Sequence, residues 1–159
     1  MRLRGQVSRH NRELATTAQE AGVITGQDFA IFQDHGYMGL YGGERARDIH
    51  RRKGLSRSQH ILDHMSSEEL ASNDFRAAQT EAKIRRERLQ GRDAANQAHE
   101  DMGRAVRAFI ADQGGTMPED LPTPPESIAQ LERREQARLE QEQAGQQSLF
   151  AGLAEGEDT

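Results

Sequence analysis

The sequence has no cysteine and no tryptophan among its 159 residues, and only 4% of them are aromatic. The absence of cysteine excludes a disulfide framework and any cysteine-ligated metal site. Hydrophobic residues make up 34% of the chain and charged residues 30%. That is little apolar material against an ordering cost of roughly 1–2 kcal/mol per residue. We therefore expect a small helical core and extended helices, with part of the chain resting on a partner or on a missing domain.

Long apolar runs are also missing. No segment approaches the roughly 20 apolar residues that a membrane span needs. Residues 1–22 lack the apolar stretch of a secretion signal. We therefore expect a cytoplasmic protein without a membrane partner.

Proline is confined to one short segment. All four prolines lie between positions 118 and 125, so residues 116–126 are predicted to form an extended linker. The predicted organisation is a helical core over residues 1–115, this linker, a helix over 127–144 and a flexible acidic tail over 145–159.

Apolar residues recur at helical and not at strand spacing, so the predicted fold is all-α. We expect helices over residues 6–21 and 28–34, the second ended by His35 and Gly36, followed by a glycine- and aromatic-rich loop over 37–43. Further helices are predicted over residues 44–53, 56–65, 66–90 and 93–113. The capping-box pattern S-x-x-E opens the 66–90 helix, and its apolar face is expected to include Leu70 and Phe75. Phe109 is expected on the apolar face of the next helix.

Basic side chains concentrate in residues 44–60, which contain six lysines and arginines against two acidic residues. Residues 119–159 have the opposite balance, with ten acidic residues against three arginines. A basic body with an acidic tail is typical of a nucleic-acid contact that the tail moderates, although an ordinary solvated helix surface has the same composition. The predicted contact residues are Tyr37, Tyr41, Arg45, Arg47, Arg51, Arg52, Lys53, Arg57, Arg85 and Arg86.

Two interpretations of this segment stay open. Tyr37 and Tyr41 either stack on bases or fill the core. Residues 46–65 faintly resemble a helix-turn-helix with Gly54 at the turn, although His50 stands where a small residue is wanted. Such a unit predicts an alternative function, a DNA-binding transcriptional regulator of the phage-antirepressor type.

No pattern predicts catalysis. His60 and His64 have the i, i+4 spacing of two metal ligands on one helical face, but no third ligand follows at a suitable spacing. His35 has no nucleophile motif around it, and the glycines of GYMGLYGG lack the lysine and hydroxyl residue of a phosphate loop. We expect a protein that is not an enzyme and that holds no metal and no cofactor.

The tail contains the string QQSLF at residues 146–150. It resembles the bacterial sliding-clamp-binding pentapeptide, Gln-x-(Ser/Asp)-Leu-Phe, through Gln146, Ser148, Leu149 and Phe150. The two apolar side chains suit a hydrophobic pocket, and the glutamine suits its rim. The motif predicts the sliding clamp as a partner. The alternative is a helix end whose apolar residues dock on the body of the protein.

Four long strings carry a family resemblance: DFAIFQDHGYMGLYGG, DIHRRKGLSRSQHILDHM, ELASNDFRAAQTEAKIRR and GGTMPEDLPTPPESIAQLE. Together they resemble the C-terminal part of the DNA damage-inducible protein D (DinD) family, over residues 4–132. The resemblance implies a bacterial protein of the SOS response that modulates RecA-type recombinase filaments, with the recombinase and single-stranded DNA as partners. Family members usually begin with a BRO-N-like domain, and the resemblance implies that this chain starts after that domain. Asp74 stands where the resemblance predicts an apolar residue, and the oligomeric state is left open.

Overall fold

The computed structural model describes residues 2–155, which form six α-helices, two single-turn 3-10 helices and no strand. The α-helices are α1 (Arg2–Ala21), α2 (Gly26–Leu40), α3 (Ala46–Arg52), α4 (Ser67–Glu87), α5 (Arg92–Asp112) and α6 (Ile128–Glu155). The 3-10 helices are Ile61–His64 and Pro118–Asp120. The prediction of an all-α fold is confirmed for this part of the chain.

The chain divides by its internal contacts into two units, Met1–Pro125 and Glu126–Thr159. The second unit contains α6, which continues to Glu155 and so runs past the predicted end at residue 144. Alanine, glutamine and leucine around Gly145 and Gly152 are good helix formers, and they outweigh two glycines at roughly 1 kcal/mol each. The last four residues of the predicted flexible tail lie outside the described residues.

In the first unit, α1 lies parallel to α4. The imidazole of His10 pairs with the carboxylate of Asp74. Two turns further along, the Thr17 hydroxyl donates to Oε1 of Glu81 over 3.1 Å. Asp74, which stands where the resemblance predicts an apolar residue, therefore links α4 to α1.

Helices α2 and α5 form a second parallel pair. At one end the Arg92 guanidinium donates to Oδ1 of Asp28 over 3.1 Å. At the other end Arg107 donates to the carbonyl oxygen of Leu40 over 3.2 Å. Each of these helices is joined by a short turn to a member of the first pair, α1 to α2 and α4 to α5.

The two short turns touch each other. The amide of Gly91 donates to the carbonyl oxygen of Ala21 over 2.6 Å. Gly22 and Gly91 both have positive φ, at 117° and 96°, a region that glycine enters without a steric cost. The unit is therefore two helical hairpins packed side by side with their turns at the same end.

Three glycines allow α2 and α5 to approach closely. A Cβ atom on Gly103 would lie 2.7 Å from the carbonyl oxygen of Gly36, and one on Gly39 would overlap the carbonyl oxygen of Glu100. Gly36 and Gly39 are thus packing residues within a helix and do not end it. The prediction of a loop from residue 37 was wrong up to Leu40, and the turn is confined to residues 41–43.

The apolar core has two clusters. One lies near the hairpin turns and includes Leu14, Ala18, Phe32, Ile84 and Ala98. The other lies toward the opposite end and includes Tyr37, Leu40, Tyr41, Ile49 and Val106. Two phenylalanines expected in the core are exposed instead: Phe75 retains 54% of its accessible surface, and Phe109 is similarly open.

Between the clusters, the inner face of α4 is polar. Arg76 is fully buried and donates to Oδ1 of Asn73 over 3.1 Å and to Nε2 of His99. His99 in turn donates from Nδ1 to the carbonyl oxygen of Phe32 over 2.8 Å. Burial, together with the charge of Arg76, holds the pKa of His99 well below its usual value, so the imidazole is neutral.

The proline-rich segment packs against the helices within the first unit. Pro118 and Leu121 are buried, and the Glu119 carboxylate accepts two hydrogen bonds from the Arg107 guanidinium, at 2.6 and 2.7 Å. These bonds lower the pKa of Glu119. Residues 117–121, predicted as extended linker, therefore pack as an ordered segment that is bonded to the end of α5.

Candidate nucleic-acid interface

The short helix α3 is fixed to the rest of the fold at its start. The amide of Ala46 donates to Oδ1 of Asp34 over 3.0 Å, and the amide of Arg45 donates to Oδ2 of Asp48 over 2.9 Å. Ile49 is fully buried in the second apolar cluster. With its one apolar face docked, α3 presents its arginines to solvent.

The second helix of the predicted helix-turn-helix does not form. Residues 56–60 are a loop, and only the single turn Ile61–His64 follows. Nε2 of His50 donates to the carbonyl oxygens of Ser56 and Gln59, at 2.9 and 3.1 Å, and the Gln59 side chain accepts from the Ser56 amide over 2.8 Å. These local bonds satisfy backbone groups that a helix would otherwise use.

A cleft of about 610 Å³ lies between this loop, α3 and the start of α1. We call it the basic cleft. It combines an apolar floor with cationic side chains at its rim. Its lining includes Arg4, Tyr37, Arg47, Arg57, His60 and Ile61.

Four of the predicted contact arginines lie at the basic cleft or on α3 next to it. Arg45, Arg47, Arg51 and Arg57 are exposed, and the Arg47 side chain retains 72% of its accessible surface. Arg52 is different, because its guanidinium lies 3.0 Å from a carboxylate oxygen of Glu44. The first four are the cations with the most freedom to meet an anion.

Lys53 belongs to the interior and not to this surface. Its side chain is fully buried, with Nζ 2.8 Å from Oε1 of Glu69 and 3.1 Å from the carbonyl oxygen of His64. The Tyr41 hydroxyl donates to the other oxygen of Glu69 over 2.5 Å, and burial raises the pKa of Tyr41 well above its usual value. Because the Glu69 carboxylate is bonded to Lys53 and Tyr41, it does not form its half of the predicted capping box. The other half is present, since the Glu69 amide donates to the Ser66 hydroxyl.

Tyr37 and Tyr41 are core residues in this structure. Their rings meet edge to face with centroids 6.1 Å apart, and the Arg76 guanidinium lies 5.1 Å from the Tyr37 centroid. Neither ring has a face open to a base, so base stacking is excluded in this conformation and the core interpretation describes both positions.

The remaining two predicted contact residues lie elsewhere. Arg85 and Arg86 occupy the last turn of α4, whereas α3 and the basic cleft lie near its first turn. At 1.5 Å per residue this helix separates the two groups by roughly 25 Å. Arg85 also pairs with Glu81 over 2.5 Å. The structure therefore does not join the two predicted basic patches into one surface.

The two histidines considered as metal ligands are separated. His64 is buried, and His60 lies exposed at the basic cleft. Where the structure describes side chains, in residues 3–154, no three histidine, aspartate or glutamate side chains are placed to hold a metal ion. No helix in this range is long and apolar enough to cross a membrane.

The residues of the clamp-like motif lie on α6, in the second unit. Gln146, Ser148, Leu149 and Phe150 are all exposed. Leu149 retains 66% and Phe150 70% of its accessible surface.

Comparison with known proteins identifies the family. Residues 1–131 match the family model described as the DinD C-terminal domain. The chain belongs to the DinD family. It is 57% identical over 130 residues to DNA damage-inducible protein D of Escherichia coli (strain K12). The match covers 82% of this chain and 47% of the relative, so the chain spans about half the length of the curated relative. No solved structure matches it. The family resemblance stated from the sequence is confirmed.

Proposed function

We propose that this chain acts in the DNA-damage response as a non-catalytic protein that binds RecA-type recombinase filaments on single-stranded DNA. Two facts support a role in DNA damage: its membership of the DinD family and the name of its relative, DNA damage-inducible protein D. The observation that supports a contact surface for the filament is the group of exposed arginines on and beside α3.

These arginines suit a polyanion because their charges are largely uncompensated. Among the side chains of residues 3–154, Arg45, Arg51 and Arg57 form no ion pair, and Arg47 has only the neighbouring Asp48, at 4.0 Å. Their backbone is held by the buried Ile49 and the bond from Ala46 to Asp34. Because this backbone is already fixed, binding to phosphates has to order only the arginine side chains.

Fluorescence anisotropy of labelled single-stranded DNA, bare and recombinase-coated, tests the proposal at two salt concentrations. We expect the parent to bind the coated strand more tightly than the bare one, or to release the label from it. Each phosphate contact lowers log K by about 0.7 per tenfold rise in salt. The triple variant Arg45→Gln/Arg47→Gln/Arg51→Gln should therefore reduce the salt slope by about 2.

A matched control is available at the other end of α4. The triple variant Arg85→Gln/Arg86→Gln/Arg88→Gln removes the same charge and should leave binding nearly unchanged. Equal affinity for coated and bare DNA would favour a simple DNA-binding protein. Loss of binding in the control variant, with the α3 variant unaffected, would move the contact surface to α4.

We further propose that the second unit engages the bacterial sliding clamp through Leu149 and Phe150, whose exposure supports this use. The variant Leu149→Ala/Phe150→Ala should lose binding to immobilised clamp. The variant Leu131→Ala/Leu139→Ala is the control, because it removes two exposed apolar side chains from the same helix. A double variant at 149 and 150 that binds like the parent would rule out this contact.

The alternative function, a regulator of the phage-antirepressor type, needs a recognition helix. Residues 46–65 form the seven-residue helix α3, a loop and the single 3-10 turn Ile61–His64, so that unit has no second α-helix. The structure therefore gives this alternative no support.

A further inference from the structure

We propose that the basic cleft binds one nucleotide of single-stranded DNA, with the phosphate at the arginines of its rim and the base over its floor. This inference rests on the proposed function, because it specifies how a DNA strand would meet the α3 surface. The volume of about 610 Å³ lies within the range of roughly 300–1,000 Å³ that is typical of small-molecule sites.

The lining of the cleft divides into two chemical zones. Ala46, Ile61 and Leu62 provide apolar surface, which suits the faces of a base. Arg47 and Arg57 stand at the rim as exposed cations. Arg4 also lines the cleft, but its guanidinium lies 3.0 Å from a carboxylate oxygen of Asp63. The two exposed arginines are therefore the ones placed to hold a phosphate.

The Tyr37 hydroxyl favours a base over a purely apolar ligand in the cleft. Tyr37 lines the cleft although only 7% of its surface is exposed. Among the residues whose side chains the structure describes, none forms a hydrogen bond to this hydroxyl. The hydroxyl oxygen is also not one of the fully buried polar side-chain atoms that lack a partner. A base edge carries donors and acceptors that can pair with it. An apolar peptide side chain would leave it unpaired, which typically costs about 1–3 kcal/mol.

The cleft is held in shape before any ligand arrives. His50 fixes the 56–59 loop through its two hydrogen bonds to backbone carbonyl groups. The pair between Arg4 and Asp63 links the start of α1 to the 3-10 turn. A preformed site loses little freedom on binding, which favours recognition of a single nucleotide.

The test uses fluorescence anisotropy of two labelled tetranucleotides at low salt, one of thymidylate and one with abasic sugars in place of every base. We expect the parent to bind the thymidylate tetramer at least about 10-fold more tightly. Tyr37→Phe retains the buried ring and should weaken only the thymidylate tetramer, by about 5- to 10-fold, as expected for one lost hydrogen bond. Arg47→Gln/Arg57→Gln should weaken both tetramers, and Arg85→Gln/Arg86→Gln should weaken neither.

Equal binding of the two tetramers, or a Tyr37→Phe variant that binds like the parent, would overturn the inference. An acidic peptide with one apolar residue, labelled in the same way, provides a further arm. If it bound in an Arg47- and Arg57-dependent manner while the thymidylate tetramer did not, the cleft would be a peptide site.

The outcome is separable from that of the proposed function. Preference for recombinase-coated DNA without discrimination between the tetramers would leave the proposed function standing and refute the nucleotide site. Discrimination between the tetramers without any preference for coated DNA would refute the filament proposal and leave the nucleotide site standing.

Discussion

Replacing Gly39 with alanine tests the contact between α2 and α5 directly. In an open helical position alanine is favoured over glycine by roughly 1 kcal/mol. At Gly39 the added Cβ atom would overlap the carbonyl oxygen of Glu100 and lie 3.0 Å from the amide nitrogen of Arg104. Both are backbone atoms, so no side-chain rotation relieves the overlap and the helices must separate.

The expected magnitude follows from these two opposing effects. Overpacking a close contact typically costs about 1–3 kcal/mol, and a backbone overlap belongs at the upper end of that range. After subtraction of the helix-propensity gain, we expect Gly39→Ala to lower the free energy of unfolding by about 2 kcal/mol.

Gly5→Ala is the matched control, because a Cβ atom at Gly5, in the helical residues of α1, meets nothing within 4 Å. It should raise the free energy of unfolding by about 0.5–1 kcal/mol. Urea denaturation followed by circular dichroism measures both changes. If Gly39→Ala matched or exceeded the stability of the parent, the close packing of α2 on α5 would be refuted.

Three further predictions concern Lys53, which directly follows α3, and a buried and an exposed side chain on α5 and α4. Lys53→Met leaves the buried carboxylate of Glu69 without its cation and should lower the unfolding free energy by about 3–5 kcal/mol in urea; a change under 1 kcal/mol would contradict the pairing. Because the folded-state pKa of His99 is depressed, the unfolded chain binds the proton first, so stability should fall as pH drops below about 6.5. His99→Gln should show a shallower loss between pH 7 and 5.5, and an unchanged slope would argue against a neutral buried imidazole. Phe75→Ala should lower the free energy of unfolding by about 1 kcal/mol or less, because the ring is exposed. Truncation of a buried phenylalanine costs about 3–5 kcal/mol, and the same urea titration distinguishes the two values.

Local signals in the sequence predicted much of the fold. The end of α1 follows from Gly22, and the start of α4 follows from Ser66, whose hydroxyl accepts from the Glu69 amide. Gly91 marks the break between α4 and α5, but α4 already ends at Glu87, where Arg88 adopts the left-handed conformation. Such caps and stops act within a few residues, so a single sequence contains them. The all-α class and most helix boundaries needed nothing more.

Features that depend on distant partners were missed. Gly36 and Gly39 have the local pattern of a turn, and only the surface of α5 explains why they are helical. The inner face of α4 includes Asn73 and Arg76, which a hydrophobicity pattern assigns to solvent. Their burial depends on His99, 23 positions from Arg76, and on Tyr41, 32 positions from Asn73.

The candidate site divides in the same way. A cluster of cations in the sequence was enough to single out Arg47 and Arg57. Arg4 was missed, because its place at the basic cleft results from packing of α1 beside the 3-10 turn. Lys53 was included with its neighbours, although its Glu69 partner lies 16 positions further along the chain and turns it inward.

The parallel pairing of the hairpins has a consequence for how the first unit folds. The bonds from Thr17 to Glu81, His10 to Asp74 and Arg92 to Asp28 all join residues 64 positions apart. Each major interface thus requires closure of a loop of that length, and neither hairpin completes a core from its own two helices. We expect slower folding than in bundles whose neighbouring helices pair in sequence order. Cleaved in the 54–58 loop, the halves should regain structure only when mixed.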